Sequence, residues 1–263
     1  MTEKQIGVGG IVIEKKKVYI ETLKSNRDIW VYTPESYNQD DREYPVLYMF
    51  DGQNLFLHDG GSQEKWEADK AAEYLNLKIG AEIIIVGVDH GEEERLNEYN
   101  PWYLEKHQFG GKGDAYLDFL ATELKSFIDR NYRTRQEPTH TAIGGSSLGG
   151  YMSIYAAAKY PEIFGKVLAM SNALWHDEGK LKEFIKENGL QHDLKIYLDT
   201  GRKESDDKAF NSLTVKQHEE LSHILIEAGM KEENMKLKFD PEGVHNEIHW
   251  RKRLPEALCW LFS

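Results

Sequence analysis

The sequence is poor in cysteine and has no long apolar run. Cys259 is its only cysteine, so no disulfide can form within the chain, which is typical of proteins from a reducing compartment. No apolar stretch reaches the roughly 20 residues that cross a bilayer. The N-terminus also lacks the basic and apolar segments of a signal peptide. We therefore predict a cytoplasmic protein without a transmembrane helix.

Positive charge is scarce relative to negative charge. The 33 lysine and arginine residues face 45 aspartate and glutamate residues, which gives a formal net charge of −12. Such a surplus repels the phosphates of nucleic acids and anionic membrane surfaces. We therefore expect neither nucleic acid nor membrane as a partner, and we attribute the charge to solubility. The charge pattern leaves open whether the chain forms a homo-oligomer.

The chain also lacks internal repeats, low-complexity segments and linkers rich in proline, glycine or serine. We therefore predict a single domain over residues 1–263. Two early strands joined by charged turns precede buried apolar strands that alternate with helical patterns, beginning with YPVLYMFDG and AEIIIVGVDHG. This alternation is typical of an α/β protein with a mostly parallel central sheet and helices on both faces.

Four glycines and two adjacent serines follow a short apolar strand in the segment TAIGGSSLGGYMSIYAAAKYP, residues 141–161. A nucleophile on a sharp turn from strand to helix needs small residues two positions before and after it, which is the pattern G-x-S-x-G. A frame centred on Ser147 has glycine in both places. A frame centred on Ser146 has Leu148 where the second glycine belongs. Ser147 is therefore the candidate nucleophile.

A serine hydroxyl needs a histidine to take its proton and a carboxylate to orient that histidine. In the α/β-hydrolase order the acid and then the histidine follow the serine, on loops after later strands. One such strand and loop offer Asp199 and Glu204, and we favour Glu204 because Asp199 lies within the end of the strand. His245 follows the last predicted strand and is the candidate base. We expect His218 and His223 on a surface helix.

Acyl chemistry also needs N–H donors for the oxyanion and walls for the substrate. Leu148, directly after the nucleophile, supplies one backbone donor at a helix start, and Gln53, in the turn after the first buried strand, is our choice for the second. Loops at the same edge of the sheet carry Trp102 and Trp175. We predict that both rings flank Ser147 and bind an aromatic, sugar or short acyl group.

Taken together, these motifs resemble the putative esterase family of α/β-hydrolases, which includes enterochelin esterases and feruloyl esterases. The resemblance runs from about Asp28 to the C-terminus and rests on MFDGQNLF, VGVDHGEEERLNEYNPW, GGSSLGGYMSIYAAAKYPEIFGKV, YLDTGRKES and GVHNEIHWRKRLPEALCWL. It implies an α/β-hydrolase fold with N-terminal antiparallel strands. It also implies a serine esterase for small-molecule esters, with no cofactor and with the triad and oxyanion residues named above.

Two other functions use some of the same residues. The segment HNEIH has His245 and His249 four residues apart, but the zinc-protease pattern needs glutamate directly after the first histidine, where Asn246 stands. We therefore predict no metal. An acyltransferase would form the same acyl-enzyme and differ only in the acceptor, and this alternative stays open.

Overall fold

The computed structural model describes residues 2–6, 12–56 and 64–263. The strands in these residues are β1 (Thr2–Ile6), β2 (Val12–Ile20), β3 (Ser25–Thr33), β4 (Val46–Phe50), β5 (Ile84–Val88), β6 (Tyr103–Leu104), β7 (Phe109–Gly110), β8 (Thr141–Ser146), β9 (Lys166–Met170), β10 (Lys195–Gly201) and β11 (Met235–Asp240). Nine of them form one sheet in the order β1-β2-β3-β5-β4-β8-β9-β10-β11, and β6 pairs with β7 separately.

Strand direction divides the large sheet into two parts. From β1 to β5, each neighbouring pair is antiparallel. From β5 through β4 to β11, each neighbouring pair is parallel. The predicted α/β fold, with a mostly parallel sheet and N-terminal antiparallel strands, is confirmed. Because parallel strands end at the same edge, the loops after β4, β8, β9, β10 and β11 meet there.

Helices connect the strands on both faces. The α-helices are α1 (Ala68–Ile79), α2 (Arg95–Glu98), α3 (Gly113–Asp118), α4 (Lys125–Asn131), α5 (Leu148–Lys159), α6 (Lys180–Asn188), α7 (Lys208–Glu227) and α8 (Glu247–Leu261), and a π-helical segment (Phe119–Leu124) joins α3 to α4. Short 3-10 helices span Glu35–Asn38, Gly52–Asn54, Glu92–Glu94, Pro138–His140 and Glu232–Asn234. Among the described residues, every helix is too short or too polar to span a bilayer.

The core has one layer on each side of the sheet. In β4 the side chains of Val46, Tyr48 and Phe50 pack into the layer that contains α5, and those of Leu47 and Met49 into the layer that contains α1 and α8. Burying one such side chain contributes about 2 kcal/mol to the free energy of unfolding. Both faces of this strand are therefore apolar, as its sequence predicts.

Helix α6 and the β6–β7 pair are absent from the sequence-based prediction. In the nine residues of α6 only Leu181 and Ile185 are buried, one turn apart, among several charged residues. Its apolar residues, Leu181, Phe184 and Ile185, have helical spacing, but the segment is shorter than the roughly 11–18 residues over which such a period is recognised, so the pattern alone does not predict a helix.

The predicted surface position of His218 is wrong, whereas His223 is exposed as expected. His218 is fully buried, and its Nδ1 lies 2.7 Å from the carbonyl oxygen of Thr214. Its Nε2 lies 3.3 Å from the side-chain nitrogen of Asn172. Burial lowers the pKa of His218 to about 4, so the ring is neutral at pH 7.

Candidate active site

The segment that contains the two serines forms a sharp turn between β8 and α5. Ser147 stands at this turn with φ +55° and ψ −122°, a left-handed conformation that non-glycine residues rarely adopt. Its backbone N–H donates to the carbonyl oxygen of Met170 at 3.0 Å, which ties the turn to the neighbouring strand β9. A strained serine at the end of a parallel strand is the geometry of a nucleophile elbow.

Close packing explains the glycines on both sides of Ser147. A Cβ atom on Gly149 would lie 2.9 Å from the Cβ of Phe50, and one on Gly145 would lie 3.0 Å from the carbonyl carbon of Gly149. Each distance is shorter than the van der Waals contact of two carbon atoms. The turn can therefore approach β4 only when both positions lack a side chain.

We expect Gly149→Ala to lower the free energy of unfolding by about 1–3 kcal/mol, because its methyl group would overlap the Phe50 side chain within the core. Turnover should fall as well, since the backbone of the turn must move to make room for the methyl group, and Ser147 lies in that turn. Urea denaturation of the variant and the wild type measures the first effect. An unchanged midpoint would show that the elbow has more room than the structure indicates.

Two loops bring a carboxylate and a histidine together at the same edge of the sheet. Glu204 Oε2 lies 2.6 Å from His245 Nδ1. The other carboxylate oxygen, Oε1, accepts hydrogen bonds from Ser171 Oγ at 2.7 Å, Thr200 Oγ1 at 3.2 Å and the Gly201 N–H at 2.5 Å. Burial by itself would raise the pKa of Glu204, but the hydrogen bonds and the His245 ring lower it to about 2. The carboxylate therefore stays ionised beside the imidazole.

Asp199, the alternative acid, faces a different partner. Its carboxylate is fully buried, and its Oδ2 lies 3.2 Å from the Nε of Arg253. The geometry therefore favours Glu204 as the partner of His245 and a structural role for Asp199.

Ser147 and His245 line one cavity of about 350 Å³. Trp66 and Trp250 form part of its wall, and their rings stack with centroids 5.6 Å apart. The Trp250 and His245 rings are nearly perpendicular, with centroids 5.0 Å apart. Polar side chains complete much of the lining, namely Asp51, Asn54, His90, Arg95, Ser146 and Glu247. The cavity is thus lined by an aromatic wall and by polar side chains.

The two predicted oxyanion donors lie in turns after neighbouring strands. β4 pairs with β8, so the turn that contains Gln53 and the elbow that contains Leu148 leave the sheet side by side. Within the described part of the chain, neither backbone N–H has a hydrogen-bond acceptor. The turn at Gln53 is fixed, because its carbonyl accepts from Lys65 Nζ at 2.6 Å and its side-chain oxygen accepts from the His90 N–H at 3.2 Å.

Asp51 and Arg95 brace this turn, and the sequence patterns did not reveal them. Asp51 has φ +57°, and its carboxylate accepts two hydrogen bonds from Arg95, at 2.7 and 2.8 Å. Its backbone N–H donates to the hydroxyl of the buried Tyr99 at 3.1 Å. A bidentate pair of this kind fixes orientation as well as distance.

The tryptophans chosen from the sequence do not line this cavity. The Trp102 ring packs against Tyr155 and Phe184, with centroids 5.2 and 6.1 Å away. Trp175 is 49% exposed and lies 6.2 Å from the ring of Phe210. Their contact with substrate stays a prediction. The sequence does offer one indication of an aromatic wall, because Trp250 follows His245 by only five residues.

The two histidines of the zinc alternative have separate environments. His245 binds Glu204, whereas the backbone N–H of His249 donates at 3.1 Å to the side chain of Asn246, which caps α8. Within residues 2–6, 12–56 and 64–263, no group of three or more His, Cys, Asp or Glu side chains could hold a metal ion.

Comparisons with known proteins agree with this architecture. Over 250 aligned residues the chain is 29% identical to the uncharacterized protein YbbA of Bacillus subtilis (strain 168), with 92% of this chain and 95% of YbbA covered. It is 23% identical over 259 residues to an iron(III) enterobactin esterase of Dickeya dadantii (strain 3937), with 92% of this chain but 53% of the relative covered. A solved IroE-like serine hydrolase from Shewanella oneidensis has the same fold, with a TM-score of 0.77, 22% identity and coverage of 95% and 80% of the two chains.

The family match covers nearly the whole chain. Residues 20–261 match the family described as "Putative esterase". This range contains the elbow, the His–Glu pair and the turn of Gln53, and it agrees with the resemblance that the motifs gave. The chain therefore belongs to the putative esterase family and has its α/β-hydrolase fold.

Proposed function

We propose that this chain is a serine carboxylic ester hydrolase that works through a covalent acyl-enzyme. The observation that carries this proposal is the cavity that Ser147 and His245 share, in which Glu204 holds His245 Nδ1 at 2.6 Å. Family membership supports the same chemistry.

The contacts suggest a role for each group. With Nδ1–H donated to Glu204, the neutral His245 ring has Nε2 free to take the proton of Ser147 as its Oγ attacks the ester carbonyl. The Glu204 carboxylate stabilises the imidazolium that forms. The N–H groups of Leu148 and Gln53 stabilise the oxyanion. His245 then returns the proton to the departing alcohol, and water releases the acyl group by the same steps.

The cavity also suggests a class of substrate. A volume of about 350 Å³ suits a short acyl group or a single ring. The stacked rings of Trp66 and Trp250 offer an aromatic wall, and the polar lining suits hydroxyl-bearing groups. We propose short-chain or ring-bearing esters of aryl, sugar or siderophore type, and the name of the Dickeya relative is consistent with the last of these.

A hydrolysis panel tests both parts of the proposal. The purified protein should hydrolyse aryl acetates and propionates, with kcat/KM falling steeply as the acyl chain lengthens. A fluorophosphonate probe should label the protein, and peptide mass spectrometry should find the label on Ser147. A preference for long acyl chains would contradict the proposed substrate class. Absence of both hydrolysis and labelling would contradict the proposed chemistry.

We expect Trp66→Ala to raise KM for a bulky ring-bearing ester about tenfold more than for a simple acetate, because only the larger ester needs the aromatic wall. Michaelis–Menten analysis with both esters measures this difference. Trp260→Ala is the matched control: this partly buried ring packs in the same core layer but does not line the cavity. Equal changes for both esters in Trp66→Ala would contradict the role of the wall.

A further inference from the structure

Ser171 is a buried residue that the proposed reaction does not use directly. It follows β9, is 2% exposed and has φ +48°. Its backbone N–H donates to the carbonyl oxygen of Asp199 at 2.8 Å. The backbone is thus held in a left-handed conformation that directs the hydroxyl into a cluster of three side chains.

The chemistry of those three side chains fixes the direction of each hydrogen bond. Trp250 Nε1 lies 3.0 Å and Arg253 Nη2 lies 2.9 Å from Ser171 Oγ, and both nitrogens can only donate. Glu204 Oε1, 2.7 Å away, is an ionised carboxylate oxygen and can only accept. The single proton of the Ser171 hydroxyl must therefore point to Glu204, while its two lone pairs accept from the other residues.

This arrangement acts on the orientation of the Glu204 carboxylate. Oε1 receives three donors, whereas Oε2 faces His245 Nδ1. A rotation of the carboxylate would break the bond from Ser171, so the bond keeps Oε2 directed at the imidazole. The same hydroxyl accepts the hydrogen bond that fixes Trp250, and the centroid of the Trp250 ring lies 5.0 Å from that of the His245 ring. One buried oxygen thus links the acid of the His–Glu pair to the cavity wall.

We propose that Ser171 is the positioning residue for the acid of the triad, which rests on the proposed esterase function. Ser171 touches neither the substrate nor His245. It acts by saturating one oxygen of Glu204 and thereby orienting the other, so its contribution to turnover exists only while Glu204 is a carboxylate.

A double-mutant cycle tests this dependence, with an aryl acetate small enough not to need the aromatic wall. Ser171→Ala should lower kcat about tenfold to a hundredfold with little change in KM, because a hydrogen bond to a charged group is lost. In a Glu204→Gln background the same change should lower kcat less than about threefold, since interacting residues are not additive. Ser222→Ala is the control for loss of a buried hydroxyl, because Ser222 Oγ donates only to the Glu219 carbonyl at 2.7 Å.

Ser171→Gly keeps the test decisive if the alanine variant does not fold, because glycine adopts φ +48° without strain and also lacks the hydroxyl. Wild-type kcat in a folded Ser171 variant would overturn the proposal, and so would an equal loss with and without the Glu204 carboxylate. These results would leave the esterase function intact provided that Glu204→Gln alone is impaired. Full activity of Glu204→Gln would overturn the triad and the role of Ser171 together.

Discussion

Ser147→Ala is expected to abolish ester hydrolysis, whereas Ser146→Ala keeps most of it. Ser147 stands at the elbow and lines the cavity beside His245. Ser146 also lines the cavity, but it is the last residue of β8, is 5% exposed and pairs with Met170 of the next strand, so it does not stand at the elbow. Loss of the serine nucleophile lowers turnover by about 10⁶ in a well-studied protease.

Rates on an aryl acetate, together with fluorophosphonate labelling, distinguish the two serines. Ser146→Ala is the matched control, since it removes a hydroxyl group from the adjacent residue by the same substitution. Labelling should persist in Ser146→Ala and disappear in Ser147→Ala. If Ser146→Ala were the inactive and unlabelled variant, the choice of glycine frame would be wrong.

Glu204→Gln is expected to lower kcat by about 10⁴, the effect of the equivalent acid-to-amide change in a serine protease. The amide keeps the shape of the side chain but removes the charge that stabilises the imidazolium. With a pKa of about 2, Glu204 is ionised throughout the pH range in which ester hydrolysis is assayed. The loss of kcat should therefore be present at every pH assayed.

Asp199→Asn is the matched variant, because it makes the same acid-to-amide change in the strand that precedes Glu204. Its carboxylate faces Arg253, so the change should lower the free energy of unfolding by about 2 kcal/mol while kcat changes much less. Kinetics and thermal melting of both variants, side by side, measure the two effects. The reverse pattern, with kcat lost in Asp199→Asn and preserved in Glu204→Gln, would assign the acid to Asp199.

The elbow could be predicted from the sequence because its requirements are local. Gly145 and Gly149 stand two residues to either side of Ser147, so the positions that must be small form a short pattern even though one residue they pack against, Phe50, is distant in the sequence. The positions of Glu204 and His245 followed from the order of strands, because residues after parallel strands meet at one edge. These steps need only chain order and secondary structure.

Other parts of the site depend on contacts between distant segments. Ser171 and Trp250 are 79 residues apart in sequence, and nothing near either one indicates their hydrogen bond. The burial of His218 is different, because Thr214, His218, Leu221 and Leu225 form one buried stripe of α7. The helical spacing of these residues can be read from the sequence, but a polar histidine within such a stripe does not by itself indicate burial.

Three residues around the cavity, Asp51, Ser147 and Ser171, have positive φ although none is glycine. Each such residue costs about 1–3 kcal/mol of conformational strain, which glycine would relieve. At Ser147 a library screened for heat resistance alone would therefore favour glycine and would discard the hydroxyl that the proposed chemistry uses, whereas at Asp51 and Ser171 the hydrogen bonds lost with the side chain would offset the gain. Thermostability engineering of this protein should hold the codon of Ser147 fixed and seek its gains elsewhere in the chain.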